Sequence, residues 1–380
     1  MTPRVVHAVD QFLTRSETFV YTIVTGHQRY EASVLCHARA NADEFPFPRV
    51  HVQPKPVSRR TPAWWTAALA ERATGRSPWR RGVDAALARV DPVVVHAHFG
   101  PIGCEMIPVT RAAGLPLVTS LYGVDAAVLP YLPQWRARYA RLFREGDLFL
   151  AEGPEMRKKV IAAGAPADRT CVHPIALNLT KYPRWSPDGS ATVLFAGRFV
   201  EKKGLLDAIA AFGLARAQMP RARLTIVGGG GGEDDARARV SELGLADAVE
   251  FVGMQPHADV IRRLSAAAVF IHPSVTAGDG DSEGGAPTIL LEAQAIGTPI
   301  VTTRHADIPH VVPEGPGVYL CAEHDVDALG RSLVAAMESG IPSSAAHVIA
   351  HHDAANVVPR LEDLYTRVVE GAAMAQGARR

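Results

Sequence analysis

Residues Asp279-Gly-Asp-Ser-Glu283-Gly-Gly-Ala-Pro-Thr-Ile-Leu-Leu-Glu292-Ala-Gln-Ala-Ile-Gly297-Thr-Pro-Ile-Val-Thr-Thr303 read as an acidic, glycine-rich loop, a short helix and a strand. Proline is tolerated in the first turn of a helix and glycine supplies the permissive backbone at its end, so Pro287 and Gly297 bracket a predicted helix ending at Ile296. Its opening amides face the acidic loop, and such an end suits a phosphate or a ribose phosphate. Leu290, Leu291 and Ala293 supply packing faces. Glu292 must therefore face water or find hydrogen-bond partners. A carboxylate can accept both hydroxyls of a ribose; a solvated surface position is the plain alternative. Glu283 either complements the helix dipole or meets a ligand.

Working back from this stretch, a strand–loop–helix rhythm recurs. Ala191 to Gly197 is an apolar strand followed by Arg198, Lys202, Lys203 and Gly204, then a helical run through Leu214. Arg198 can grip a phosphate with several directed donors, and Lys203 can neutralise charge on a departing diphosphate. The strand from Arg223 to Val227 runs into five glycines, Gly228 to Gly232. These permit close approach of a ligand, but the Walker lysine and the ordered dinucleotide fingerprint are missing, so the run also reads as a plain loop. Further strands are predicted at Val249 to Gly253, Val269 to Pro273 and Val318 to Leu320.

The same rhythm opens the chain. Val5 to Val9 is a predicted buried strand, and Ser16-Glu17-Thr18-Phe19 leads into a helix that Ser16 could cap. Pro92 to Ala97 is a strongly apolar strand ending in His96-Ala-His98-Phe-Gly100-Pro, and Gly114-Leu-Pro-Leu-Val-Thr119-Ser-Leu-Tyr122-Gly123-Val-Asp125 reads as another strand followed by a glycine-containing loop. Ligands of parallel α/β sheets lie outside the carboxyl ends of the strands, which makes His98 and Asp125 candidates for a binding site. His96 and His98 share one face of their strand, but no third convergent ligand is visible, so no metal is expected. The stretch from Asn178 to Ser190, with Pro183, Pro187 and Gly189, reads as the domain boundary.

At 380 residues and 47% hydrophobic composition, the chain can bury more than one core, and two domains are expected. A net charge of +1 gives no general case for nucleic-acid binding. No run of about 20 apolar residues suggests a membrane span. The start, MTPRVVHAVDQF, enters a strand without the pattern of a signal peptide, and the four scattered cysteines suit a reduced compartment. A cytoplasmic location is expected. Between residues 55 and 81, Trp64, Trp65 and Trp79 alternate with arginines and lysine. That composition suits an anionic interface, and equally suits tryptophans packed on a sheet among solvated arginines.

Ser16-Glu17-Thr18-Phe19, His96-Ala-His98-Phe-Gly-Pro, Tyr122-Gly-Val-Asp125, Gly197-Arg198 with Lys203-Gly204, and the glutamate-bearing stretch together resemble one family: the retaining nucleotide-sugar glycosyltransferases of family 4. The chain is most similar to its bacterial exopolysaccharide, colanic-acid and O-antigen branch. The resemblance implies an α/β GT-B fold, with two Rossmann-like domains facing each other across a cleft. It implies an acceptor domain over 1–187, a nucleotide-sugar domain over 188–353, and a helix over 354–380 packing back toward the first.

In this reading Arg198 and Lys203 contact the donor diphosphate, Glu292 the ribose and Glu283 the donor sugar, with Gly284, Pro287 and Thr288 beside them. His98 joins Glu283, Arg198 and Lys203 in the catalytic set; Glu17, Tyr122 and Asp125 stand on the acceptor side. The implied reaction moves sugar from a UDP- or GDP-sugar to a polyprenyl-diphosphate-linked saccharide, with no cofactor and no essential metal. The cytoplasmic face of the inner membrane is the place of work that the Trp-containing segment suggests.

Two departures stand out. The family spaces its glutamates with seven residues between them, whereas Glu283 and Glu292 have eight. One extra residue would turn a helical side chain by about 100°, but it falls before Pro287, where a loop can absorb it. Tyr122 also stands where many relatives place histidine. The rival classes are a non-catalytic sugar-nucleotide-binding protein and a Rossmann-type sugar-nucleotide oxidoreductase. The second needs an early dinucleotide loop that the sequence lacks.

Overall fold

The computed structural model describes residues 1–14, 17–54, 78–285 and 287–377. Ser16 and residues 55–77, which include Trp64 and Trp65, lie outside them. The chain divides into two compact units. One comprises Met1–Ala151, Val160–Ala176 and Ala354–Arg380; the other comprises Glu152–Lys159 and Leu177–Asp353. The division expected at 187/188 thus falls inside the second unit.

The first unit carries seven described strands: β1 (Arg4–Phe12), β2 (Glu31–Arg39), β3 (Val50–Val52), β4 (Val94–His98), β5 (Leu117–Leu121), β6 (Leu148–Ala151) and β7 (Thr170–Val172). They pair in parallel in the order β3-β2-β1-β4-β5-β6-β7. Parallel sheets are covered on both faces, which explains why β4, β5 and β6 are buried at every residue. The helix Ala354–Gly377 belongs to this unit and buries Val357, Val358, Leu361 and Tyr365 completely.

The second unit repeats the plan with β8 (Thr192–Arg198), β9 (Arg223–Gly229), β10 (Val249–Gly253), β11 (Val269–His272), β12 (Ile300–Thr303) and β13 (Val318–Cys321). Their parallel order is β10-β9-β8-β11-β12-β13. Strand order reverses between β1 and β4 in one sheet and between β8 and β11 in the other. Those reversals are where open α/β sheets leave a crevice at the strand carboxyl ends.

Two glycines show how tightly the second reversal is built. Gly204 sits at φ +66°, and a Cβ there would lie 1.8 Å from the carbonyl oxygen of Pro273, just past β11. Gly228, at φ +138°, would place a Cβ 1.8 Å from the carbonyl oxygen of Gly197. Part of the glycine run therefore answers to backbone crowding, whatever it does for a ligand.

Local readings shift by small amounts. The first helix is Thr18–Gly26 with Glu17 as its N-cap, whose own side chain makes no capping hydrogen bond. The helix of the opening stretch is Thr288–Ile296; Pro287 stands just outside as N-cap, and Gly297 closes it at φ +94°. The described cysteines form no disulfide with one another. No described helix is long and apolar enough to cross a membrane.

Candidate active site

In the second unit the predicted residues gather after β8 and β11. Arg198 ends β8 with an exposed side chain and no ion pair among the described residues. A short turn over Glu201–Lys203 follows, and Lys203 Nζ stands 2.7 Å from Glu283 Oε1. Ser274 donates its hydroxyl to the same oxygen at 3.2 Å. Burial alone would raise the Glu283 carboxyl, but Lys203, with help from Lys202, draws it down to about 2. Glu283 is thus an anion clamped on a cation.

Three supports fix this pair. The Glu283 amide donates to His305 Nε2 at 3.1 Å, so His305 carries its proton on Nδ1 and donates it to Glu323 at 2.7 Å. The neighbouring Lys202 is buried and reaches Asp281 at 3.0 Å and the carbonyl of Ser282 at 3.1 Å. Gly285 donates its amide to Glu152 Oε2 at 2.8 Å, and a Cβ on Gly285 would fall 2.5 Å from that side chain. Glu283 stands in this loop, where Gly284 and Gly285 are buried, and Glu292 in the helix that begins at Thr288. Ala286 lies outside the described residues.

His272 ends β11 and is fully buried. Its Nδ1 meets Ser274 Oγ at 3.1 Å, while Nε2 has no partner among the described residues. Burial, then the charge of Lys203, pushes it down to about 3. It is therefore a neutral ring.

Glu292 answers the question its helix raised. It is 3% exposed, and Oε1 receives hydrogen bonds from His257 Nε2 at 2.8 Å and from the Tyr182 hydroxyl at 3.2 Å. It is neither solvated nor unsatisfied. Tyr182 lies in the proline-bearing stretch read as a linker, and His257 opens a helix, so neither carried a motif in the sequence. Pro287 is buried and Thr288 half-buried at the start of the same helix.

In the first unit, His98 and Tyr122 also meet: His98 Nδ1 lies 2.6 Å from the Tyr122 hydroxyl. The other ring nitrogen lies 2.9 Å from His7 Nδ1, and His7 Nε2 lies 2.9 Å from His27 Nε2. His27 Nδ1 reaches Glu362 Oε1 at 3.1 Å. His96 bonds Tyr365 at 2.5 Å and Ser120 at 2.7 Å. Burial holds His7 and His96 well below the usual histidine range and His98 down to about 3.

His7 is the third ring that strand spacing did not reveal: His7, His96 and His98 turn ring nitrogens to within 4.8 Å of one another. Hydrogen bonds already engage both nitrogens of each ring, which disfavours a common ion.

Asp125 takes a fastening part. Its Oδ2 accepts from the Gly100 amide at 2.9 Å, and its Oδ1 from the amides of Tyr122 at 3.1 Å and Gly123 at 2.8 Å. With its carboxylate committed to three backbone donors at 2% exposure, it ties the loop after β4 to the loop after β5. Glu17 is half-buried, and that burial raises its carboxyl. Beyond residue 77, the basic segment shows Arg80 paired with Asp84 at 2.8 Å, and the Trp79 ring centroid 5.9 Å from that of His37.

Two parallel Rossmann-like sheets, with paired charges and buried histidines near the reversals of strand order, define an α/β protein built of two Rossmann-like units. The family model described as Glycosyltransferase Family 4 matches residues 16–181, and that for Glycosyl transferases group 1 matches residues 183–350. The chain belongs to glycosyltransferase family 4.

WcaL of Salmonella typhimurium, named for colanic acid biosynthesis, is 33% identical over 242 residues, which is 62% of this chain and 59% of WcaL. AmsK, the amylovoran biosynthesis glycosyltransferase of Erwinia amylovora, is 33% identical over 220 residues, 57% of this chain and 54% of its own. The match thus spans less than two thirds of these relatives. Among solved structures, Anabaena HepE in complex with UDP and glucose shares the fold, with a TM-score of 0.75 at 18% identity over 95% of this chain and 99% of that one.

Proposed function

We propose that the protein transfers a glycosyl unit, with retained anomeric configuration, from a UDP- or GDP-sugar to a hydroxyl of a polyprenyl-diphosphate-linked saccharide in exopolysaccharide assembly. The observation that carries this reading is the ion pair between Lys203, in the turn after β8, and the buried Glu283, in the segment after β11, with the exposed Arg198 ending β8. In this mechanism Arg198 and Lys203 neutralise the diphosphate as its bond to the anomeric carbon breaks. Glu283 holds the Lys203 ammonium in place. The acceptor oxygen bonds to the same face of the anomeric carbon, and its proton passes to the departing phosphate oxygen. Two cations, Lys203 held by Glu283 and Arg198 exposed at the end of β8, do the work that a divalent ion does elsewhere, so transfer proceeds in the presence of a chelator.

Glu292, oriented by Tyr182 and His257, takes the ribose hydroxyls, while Gly284, Pro287 and Thr288 border the donor. His98, Tyr122 and Glu17 are assigned to the acceptor side, with Asp125 fastening the loops after β4 and β5. The names of WcaL and AmsK support the exopolysaccharide setting, and the UDP and glucose bound to HepE support a nucleotide-sugar donor. Work at the cytoplasmic face of the inner membrane, through peripheral contact by the basic segment over 55–81, completes the proposal.

The test is a screen of nucleotide sugars against extracted polyprenyl-diphosphate-linked saccharides, with product mass and anomeric configuration read by mass spectrometry and NMR. An inverted anomer would refute retention. Donor binding with neither transfer nor hydrolysis would point instead to a non-catalytic sugar-nucleotide-binding protein. Absence of binding to anionic vesicles at low salt would remove the membrane contact.

A further inference from the structure

Five side chains of the first unit form one unbroken line: Glu362, His27, His7, His98 and Tyr122. Each contact in it is between 2.6 and 3.1 Å, and each of the three rings uses both nitrogens within the line. A neutral imidazole has one donor and one acceptor nitrogen, so fixing one bond of such a line fixes all of them. Glu362 is the fixed end. Its carboxylate also accepts the amides of Gln28 at 2.8 Å and Arg29 at 2.9 Å and the Arg29 guanidinium at 3.0 Å, so it can act only as an acceptor.

With all rings neutral, His27 donates from Nδ1 to Glu362, His7 donates from Nε2 to His27, and His98 donates from Nε2 to His7. Tyr122 must then donate its phenolic proton to His98 Nδ1. A phenol has one proton, and once it is committed inward the oxygen can meet any other group only as an acceptor. One added proton on His27 leaves its bond to Glu362 in place and reverses the other three: His7 and His98 move their protons to Nδ1, and Tyr122 accepts from His98. Its own proton then points away from the ring.

We propose that these residues act as one relay in which a single proton on His27 decides whether the Tyr122 hydroxyl accepts from or donates to a sugar hydroxyl. The proposal rests on the acceptor-side reading of Tyr122. Glu362 and His27 are positioning residues in it, acting only through His7 and His98. The groups facing His27 are Glu362 and Tyr365 of the helix Ala354–Gly377, Tyr30 of the turn after Thr18–Gly26, and His7 of β1. His96 and His98 of β4 stand behind His7, and Arg29 shares the carboxylate.

The test needs no ligand and no activity. In the full chain labelled with 15N-histidine, long-range proton–nitrogen correlations read the protonated nitrogen of each ring as pH is lowered. The expected result is a joint change: as His27 becomes doubly protonated, His7 and His98 move from Nε2–H to Nδ1–H at the same midpoint. His27→Phe should abolish that joint change. Tyr122→Phe, which removes only the far end, should leave it in place. Tautomers of His7 and His98 that ignore the protonation of His27, or a joint change lost in Tyr122→Phe and kept in His27→Phe, would overturn the relay. If the relay is found in a chain that transfers no sugar, the functional reading falls and the relay stands.

Discussion

Lys203 and Glu283, eighty residues apart in sequence, meet as an ion pair at 2.7 Å that is largely shielded from water, with side-chain exposures of 13% and 8%. Removing one partner of such a pair strands the other charge, whereas replacing both with uncharged groups does not. Lys203→Met should therefore cost roughly 3–5 kcal/mol of stability, read as a fall in the urea midpoint. The double replacement with Glu283→Gln should recover much of that loss while remaining inactive in transfer. A single variant as stable as the wild type would show that Glu283 finds its balance elsewhere.

Arg198 stabilises nothing in the fold that its removal would expose, since its side chain is exposed and unpaired among the described residues. Arg198→Ala should leave the unfolding midpoint within experimental error and cut transfer by about 100- to 1000-fold. Retention of near-normal turnover would sink the diphosphate clamp.

If Glu292 holds the ribose, Glu292→Gln weakens charged hydrogen bonds worth about 1.5–3 kcal/mol, or roughly 10- to 150-fold in affinity. Calorimetric titration with UDP and with GDP reads this directly. Tyr182→Phe, which loosens the carboxylate without touching the ligand, should fall between the two. Equal affinity in all three proteins would assign the ribose to another group.

Acid should destabilise the protein in two stages. His7 and His98 have folded values below their unfolded one, so their contribution is complete above about 6.5 and is lost as pH falls toward about 3 for His98. Glu283 and Glu362 sit at about 2, so theirs is present above about 4.3 and is lost as pH falls from there toward 2. Stability followed by urea unfolding should decline below pH 6.5 and fall more steeply below 4.3. A flat profile down to pH 5 would contradict the neutral buried histidines.

The glycine run should divide under mutation. Gly228→Ala meets the Gly197 carbonyl and a positive φ, and should cost more than about 1 kcal/mol. Gly231→Ala has nothing within 4 Å of the new Cβ and should be neutral in thermal unfolding.

The alternation of apolar strands with helices was plain in the sequence because parallel strands must be apolar on both faces. The helix bracketed by Pro287 and Gly297 was legible because both residues constrain the backbone locally. The partners of the site residues were not. Nothing in the sequence around Tyr182 or His257 marks a carboxylate partner, since the contact with Glu292 is made only by tertiary packing. His7 lay in the middle of a predicted strand with nothing to mark it, and Glu362 in a helix whose polar residues looked alike. Asp125 was placed correctly at a strand end, yet its oxygens proved to be occupied by backbone amides that no spacing rule counts.

The contact between His27 and Glu362 spans 335 positions of the chain. At the pace of synthesis, about 5–20 residues per second, His27 leaves the ribosome tens of seconds before the carboxylate that will hold it exists. During that interval the first sheet can form its strands, but the polar line through its interior lacks its end, as His96 lacks Tyr365. Assembly of the first unit is therefore finished from the far end of the message. A nascent chain stopped short of residue 362 would be expected to keep its early histidines open to solvent and to chaperones.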